Sequence, residues 1–552
     1  MKIVIVGGVA GGATAAGRIR RLNENAEIIL LERGEYISFA NCGLPYYVGG
    51  VIKDREALLV QTPETFGSRY NLDVRIQNEV IAIDRKGKTL EILNRKTGES
   101  YRESYDKLLL STGAEPIRPP MEGTELPEVF TLRTVPDTLA IREFIVERKP
   151  KSAVVVGGGF IGLEMVENLA ENGIAVTLVE KSSQVAPNLD GDIVAEVHDY
   201  LRKKGIDLRL EETLDGIAKE DGRLKVNLEG GDTVSADMVL LSIGVRPENR
   251  LAVDAGLEVG IKGTVVTDTH MRTSDPDIYA VGDMVQIIHP VSGEPVSIPL
   301  AGPANKQARI AADNLCGIES EYAGAQGSAV LKLFDMTVAS TGLGIDAAKA
   351  AGFECDFTIV HAVSHAGYYP GAEDLTLKVI FETSTGRILG AQVVGFDGVD
   401  KRCDVLATAI RGGMTALDLT ELDLCYAPPY SSTRDPVNVA AYVIENMREG
   451  TFKQFHWDAV DQLPRDGSVT LLDVRSREEY AQGHVDDFIN IPMDALRTRF
   501  GELDIEKPVY IYCLGGLRSY VASRILTAKG YDAYSLCGGW KLYSSVKDDR
   551  KK

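Results

Sequence analysis

Apolar and polar positions lay out the same unit twice along the chain. From Lys2 to Arg33, KIVIVGGVAGGATAAGRIRRL…EIILLER, an apolar run meets a cluster of glycines, a helical stretch and a second apolar run that ends in an acid. From Ser152 to Lys181, SAVVVGGGFIGLEMVENLAENGIAVTLVEK repeats that order. Each copy predicts strand, turn, helix and strand. Between the copies, NEVIAIDRKGKTLEIL and YDKLLLSTGAEP predict β-structure; DMVLLSIGVRPEN, IYAVGDM and IPLAGPANKQARIAADN follow the second. Strands AVLKLFDMTVAST, LTLKVIFE and ILGAQVVG and the helix DKRCDVLATAIRGG then predict a separate α+β unit. Residues 449–458, EGTFKQFHWD, carry little periodicity and are expected to be a linker. The remainder alternates short strands (VTLLDV, PVYIYC) with helical stretches. The expected domains are 1–112 with a return segment at 244–323, 113–243, 324–448 and 459–552.

Composition narrows the classes. The 552 residues carry a net charge of −20, with 44% hydrophobic and 25% charged residues, the balance of a globular protein with several cores. So acidic a chain is a poor partner for nucleic acid or an anionic membrane. No run reaches the roughly 18 apolar residues of a membrane span. The N-terminus passes straight into glycines, so it reads as a first strand and not as a signal peptide. Seven cysteines (42, 316, 355, 403, 425, 513, 537) are scattered with no CxxC pair. That spacing argues against a disulfide framework or a metal site and points to the reducing cytoplasm, where single thiols act as nucleophiles.

Gly157, Gly159 and Gly162 form an intact G-x-G-x-x-G at a strand–helix junction. Glycines there permit a tight turn and close approach of a pyrophosphate, and the helix N-terminus presents free N–H groups to it. Glu180, 18 residues past Gly162, is placed to accept from ribose hydroxyls. That favours NADH over NADPH, because a 2′-phosphate is repelled, although Lys181 softens the preference. The first copy has Gly7, Gly8, Gly11 and Gly12, with Glu32 20 residues past Gly12. Val9 occupies its middle position and is expected to narrow the phosphate approach.

Together with STGAEP and YAVGD, these strings resemble the flavoprotein disulfide reductases with two dinucleotide folds, over about residues 1–445. The resemblance implies an α/β protein with two Rossmann-like domains, an α+β dimerisation domain and a further α/β domain. It implies FAD in the first fold, held by Gly7, Gly8, Ala10, Gly11, Gly12, Glu32, Arg33, Thr112, Gly113, Gly282, Asp283 and Ala301, with Asp283 on a ribityl hydroxyl. It implies NADH or NADPH in the second, at Gly157, Gly159, Phe160, Ile161, Gly162, Glu180 and Gly244.

Cys42 lies in ISFANCGLPYYVGG. Relatives with an internal dithiol carry a second cysteine after four intervening residues, where this chain has Tyr47. A lone thiol must cycle through a mixed disulfide, a persulfide or a sulfenic acid. SFANCGLPY resembles coenzyme A-disulfide reductases and their persulfide-reducing relatives; NADH oxidases and peroxidases with a sulfenate cysteine are near cousins. The resemblance implies a coenzyme A channel lined by Thr14, Arg18, Arg21, Ser38 and Asn41, with Asn305 and Arg434 as further contacts. Arg18 and Arg21, three apart, share one helix face. In that family, tyrosines at the positions of Tyr368 and Tyr426 reach the active site from the partner subunit, which implies a homodimer with shared sites. A phenol there can protonate a departing thiolate.

The last stretch, LLDVRSREEYAQGHVDDFINIP…VYIYCLGGLRSYVASRILTAKGY, resembles a rhodanese domain over about 459–552. Cys513 opens the loop CLGGLR before a helix. Successive backbone N–H groups and the helix N-terminus there favour a sulfur anion, Arg518 closes the loop, and Gly515 and Gly516 let it bend. Phosphatases carry a related Cys-x5-Arg loop, one residue longer than the Cys-x4-Arg here; DVRSREEY and GHVDDFINIP decide for rhodanese.

The expectation is an NAD(P)H-dependent FAD enzyme reducing coenzyme A disulfide, coenzyme A persulfide or polysulfide through Cys42, with Cys513 handling sulfane sulfur. The alternative is an NADH oxidase or peroxidase using a Cys42 sulfenate. Such relatives carry a catalytic His near residue 10, where this chain has Ala10. A redox-sensing scaffold without turnover is the third reading.

Overall fold

The computed structural model describes residues 1–551. The chain forms two compact units, residues 1–185 with 205–327 and residues 186–204 with 328–552.

The first unit holds two five-stranded parallel sheets. In one, Ile278–Ala280, Lys107–Leu110, Lys2–Val6, Glu27–Glu32 and Asp73–Ile76 lie in that order. In the other, the order is Asp207–Leu210, Ala175–Glu180, Ser152–Val156, Met238–Leu241 and Val129–Phe130. The repeated sequence pattern thus becomes a repeated fold, with the glycine turn after the central strand of each sheet. Ala114–Pro116 pairs antiparallel with Val245–Pro247, so the chain enters and leaves the second fold side by side. Helix Ala10–Leu22 buries its small-residue face, and Ile19 and Ala16 are fully enclosed.

The second unit holds an antiparallel sheet in the order Ala329–Leu333, Met336–Gly342, Ile388–Gly395, Asp374–Glu382 and Cys355–Val363. The string AVLKLFDMTVAST is a hairpin, turned at Phe334 with a φ of 54°. A parallel sheet near the C-terminus runs Gln454–Phe455, Ala533–Leu536, Val509–Tyr512, Thr470–Asp473 and Ile489–Asn490.

Two boundary expectations change. Residues 449–458, read as a linker, include the edge strand Gln454–Phe455. Gln454 Nε2 donates to the Phe357 carbonyl at 2.6 Å, and His456 Nε2 sits 2.7 Å from Asp356 Oδ1. Two strand residues are too few to show a period, so the sequence reads as irregular. The second change concerns helix Gly191–Lys203, expected within 113–243, which belongs to the second unit. Its Asp192 and the preceding Asp190 each lie 2.8 Å from the buried Lys378 ammonium, and that clamp is a contact between residues far apart in sequence. Among the described residues no helix is long and apolar enough to cross a membrane.

Candidate active sites at Cys42 and Cys513

The two glycine turns of the first unit superimpose in chemistry. A Cβ on Gly12 would overlap the carbonyl oxygen of Gly7, and one on Gly162 that of Gly157. Both positions therefore demand glycine, and helix and strand meet without a side chain between them. Gly8 N–H donates to Glu32 Oε2 at 2.8 Å and Gly34 N–H to Oε1 at 2.8 Å. In the second turn Gly158 donates to Glu180 Oε2 at 2.7 Å and Ser182 to Oε1 at 2.8 Å. Each strand-ending acid thus locks its own turn, a role the sequence did not reveal, and keeps acceptor lone pairs to spare. The middle position differs without consequence for the backbone: Val9 caps its helix at φ −98° and Gly159 at φ −77°. Neither angle needs glycine, so Val9 fits the turn.

Ala10 and Phe160 are the first residues of their helices, and Gly11 and Ile161 follow in the first turns. Around the first turn, Thr112 donates from Oγ1 to the Glu248 carbonyl at 2.6 Å. Arg33 pairs with Glu248 Oε2 at 2.8 Å. Gly113, Gly244 and Gly282 all take left-handed angles, and Gly282 N–H donates to Gln307 at 2.7 Å. Asp283, beside it, is half-buried and has no hydrogen-bond partner among the described residues. Burial pushes its carboxyl up, against the pull of Arg133. An unsatisfied half-buried carboxylate next to a glycine turn fits a polyol hydroxyl, and the space open beside Gly159 fits a pyrophosphate at the second helix N-terminus.

Cys42 lies on an exposed single-turn helix, Asn41–Gly43, that leads into helix Leu44–Val48. Burial of its sulfur pushes the thiol up, and the carboxylates of Glu164 and Asp283 push the same way. Burial and the protein's own charges therefore hold Cys42 toward the thiol. Glu164 is itself raised to about 7, chiefly by burial. Tyr46 donates to it at 3.4 Å.

The structure joins two of the expected channel residues directly. The Thr14 hydroxyl donates to Asn305 Oδ1 at 2.6 Å, joining helix Ala10–Leu22 to helix Ala301–Leu315. Ala301 opens the latter helix and is exposed. Arg18 is held 2.8 Å from Asp313, whereas Arg21 is exposed with its guanidinium over the Tyr70 ring. Arg20, between them, is a structural residue: it is buried and donates to the carbonyls of Tyr70, Asn71 and Glu24. Ser38 takes a left-handed φ of 45°, a strained angle for a residue with a Cβ. Asn41 is exposed one residue before the thiol.

Tyr368, Tyr426 and Arg434 belong to the second unit. The two phenols are hydrogen-bonded at 3.1 Å, and Tyr368 is 76% exposed, unusual for so large a ring. Arg434 is also exposed, beside the buried pair of Arg402 and Asp435.

Cys513 follows strand Val509–Tyr512 and is 1% exposed. Gly516 N–H donates to its sulfur at 3.1 Å, and Ser519 Oγ approaches at 3.4 Å. Gly516 caps helix Leu517–Ala528 at φ 110°, a left-handed angle, whereas Gly515 does not need one. Arg518, which closes the loop, binds Glu479 with both terminal nitrogens, at 2.7 Å each. That pairing drops Glu479 to about 2 and leaves Arg518 to act on Cys513 through charge alone. Ser476 and Glu479 form a capping box, so the acid is fixed before it meets the arginine. The neighbouring Asp473–Arg475 pair is buried at 2.7 Å with the guanidinium 4.7 Å from the Trp540 ring.

Residues 1–308 match the family model described as pyridine nucleotide-disulphide oxidoreductase, and 328–436 match that family's dimerisation domain. The chain belongs to the pyridine nucleotide-disulphide oxidoreductases. Within this flavoprotein family it carries a rhodanese-like domain at 456–545. The chain is 39% identical to a coenzyme A disulfide reductase of Staphylococcus aureus over 442 residues, 80% of this chain and 99% of that protein. Among solved structures it is similar to reduced CoADR-RHD of Bacillus anthracis, with a TM-score of 0.97 and 48% identity over 100% of this chain and 98% of that one. It is also similar to a NAD-dependent persulfide reductase from A. fulgidus, with a TM-score of 0.91 and 38% identity over 98% and 100%. The parallel sheets around both glycine turns are thus those of a pyridine nucleotide-disulphide oxidoreductase, with a rhodanese-like domain appended.

Proposed function

We propose that the protein is an NAD(P)H-dependent FAD enzyme that reduces coenzyme A disulfide, coenzyme A persulfide or polysulfide at Cys42, and that Cys513 accepts and delivers sulfane sulfur. One observation carries the reading. The single thiol Cys42 has Tyr47 where a second cysteine would close an internal disulfide, so its oxidised form is a bond to an atom taken from the substrate, as mixed disulfide, persulfide or sulfenate. The relatives named above act on coenzyme A disulfide and persulfide, which favours a coenzyme A thiol as that partner.

The first turn, with Glu32 and the unpaired Asp283, is suited to hold FAD; the second, with Glu180, suits NADH. Bound FAD supplies the two-electron carrier between the nicotinamide and sulfur. The chain's residues do the rest. Cys42 thiolate attacks one sulfur of the substrate, forming a mixed disulfide and releasing the other as a thiolate. Two electrons then cleave the mixed disulfide, and the second thiol leaves. A proton is needed for each departing thiolate; Tyr368 and Tyr426, exposed on the dimerisation domain, are suited to give it across a homodimer interface. Arg21, with Thr14 and Asn305, is suited to the phosphates of the carrier. At the second thiol, the Gly516 N–H and the N-terminus of the following helix stabilise a terminal sulfur anion on Cys513.

Mass spectrometry of holoprotein incubated with coenzyme A disulfide tests the reading. A Cys42–coenzyme A mixed disulfide is expected; a sulfenate or sulfinate at Cys42 with no adduct would favour the oxidase chemistry instead.

A further inference from the structure

Behind the rhodanese loop stands a histidine from a different domain. His361, on strand Cys355–Val363 of the dimerisation sheet, places Nε2 3.0 Å from the Gly538 carbonyl. Gly538 begins the turn whose Trp540 and Lys541 N–H groups donate to the carbonyls of Cys513 and Leu514, at 2.8 and 2.9 Å. The ring also faces Gly515 in the loop itself, where an added methyl group would lie 3.5 Å from His361 Cδ2. On its other side, His361 Nδ1 is 2.9 Å from Thr376 Oγ1, and Thr376 Oγ1 is 2.8 Å from Glu196 Oε1. Glu196 lies on helix Gly191–Lys203 of the same compact unit.

The Gly538 carbonyl only accepts, so Nε2 carries a hydrogen. Two links remain, Nδ1 to Oγ1 and Oγ1 to Oε1, and the threonine hydroxyl brings one hydrogen for the two. The second must be a proton held by the pair, on Glu196 as a carboxylic acid or on His361 as an imidazolium. Burial pushes Glu196 up and His361 down to about 4, which seats the proton on Glu196. Each group then donates to the next, from Glu196 through Thr376 and His361 to Gly538.

We propose that His361 is a positioning residue for the Cys513 sulfur loop, and that it is oriented by one proton shared with Glu196 through Thr376. The inference rests on the reading of Cys513 as a sulfurtransferase thiol. Loss of the proton leaves one hydrogen for two links, so the imidazole loses a fixed orientation and the turn that holds the Cys513 carbonyl loosens. Sulfur transfer therefore has an alkaline limb set by the loss of that proton. Besides Glu196 and His361 themselves, Lys541 of the last helix and Asp374 of strand Asp374–Glu382 face both groups, and Asp192 faces Glu196. Lys541 keeps the imidazole neutral and opposes the rise of Glu196, while the two aspartates favour its protonated form.

The test is thiocyanate formation from thiosulfate and cyanide by the full-length holoprotein across pH. In this reaction the Cys513 thiolate takes the outer sulfur of thiosulfate and releases sulfite; the persulfide then passes that sulfur to cyanide. His361→Ala is expected to lower the rate about tenfold, in line with the cost of misplacing a reacting group. Glu196→Gln supplies an amide N–H to Thr376 at every pH, so it is expected to keep the neutral rate and lose the alkaline decline of the wild type. Thr376→Val, which breaks both links, is expected to resemble His361→Ala. NADH oxidation with an artificial acceptor and far-UV circular dichroism report folding. A folded His361→Ala with the wild-type rate, or a Glu196→Gln profile identical to wild type, would overturn the proposal. Should His361→Ala not fold, the Glu196→Gln profile decides alone. Absence of cyanide-dependent activity in the wild type would instead overturn the reading of Cys513.

Discussion

The Thr14 hydroxyl hydrogen-bonds Asn305 at 2.6 Å, across 291 residues of sequence. That bond ties the first glycine-turn helix to helix Ala301–Leu315, and Arg21 stands exposed near the end of the first of these helices. In a protein of charge −20, an exposed arginine without a carboxylate partner among the described residues is suited to a phosphorylated carrier.

Arg21→Gln is therefore expected to raise the KM for coenzyme A disulfide about tenfold, the equivalent of about 1.4 kcal/mol, with kcat little changed. Steady-state kinetics with coenzyme A disulfide against a small disulfide that lacks phosphates checks it. An equal loss with both acceptors would remove Arg21 from carrier binding.

Glu164 titrates near 7 and its charge raises the Cys42 thiol. Glu164→Gln removes that charge, so the thiolate forms at lower pH. The iodoacetamide alkylation rate of Cys42, followed against pH, is expected to shift its midpoint downward; a midpoint unmoved or raised contradicts the assignment.

His456 joins the dimerisation and rhodanese domains through Asp356. Burial works against its charge, yet Asp356 and Cys537 raise it from 6.5 to about 10. A raised folded value means the stabilisation is complete below about pH 6.5 and falls as the pH climbs through about 10. His456→Gln is expected to lower the melting temperature at pH 6 more than at pH 10. Equal losses at both would show a packing role only.

Gly12→Ala places a methyl group against the Gly7 carbonyl. Backbone must shift to admit it, which costs on the order of 1–3 kcal/mol and distorts the turn. The purified variant is expected to carry little flavin by its visible absorbance; full loading would show that the turn tolerates the change.

Much of this was legible in the sequence because glycine spacing and strand-ending acids are local signals. Gly157, Gly159, Gly162 and Glu180 sit at the turn their spacing implied, and Cys513 follows a strand and precedes a helix. What stayed hidden depends on distant partners. Strand Cys355–Val363 escaped notice although its Phe, Thr, Ile and Val residues favour extended structure, and with it went His361 and Asp356. The capture of Arg518 by Glu479 joins residues 39 apart and has no periodic signature. Helix Gly191–Lys203 lies in sequence between strands of one sheet, yet its acids face Lys378 and Thr376 of another.

The central claim is that electrons leave through a sulfur bonded to Cys42. Anaerobic NADH consumption by wild type, Cys42→Ser and Cys513→Ser, with coenzyme A disulfide, coenzyme A persulfide and polysulfide, tests it most directly. The account predicts that Cys42→Ser loses turnover with all three, while Cys513→Ser keeps reduction of coenzyme A disulfide. Full persulfide reduction by Cys42→Ser would contradict it.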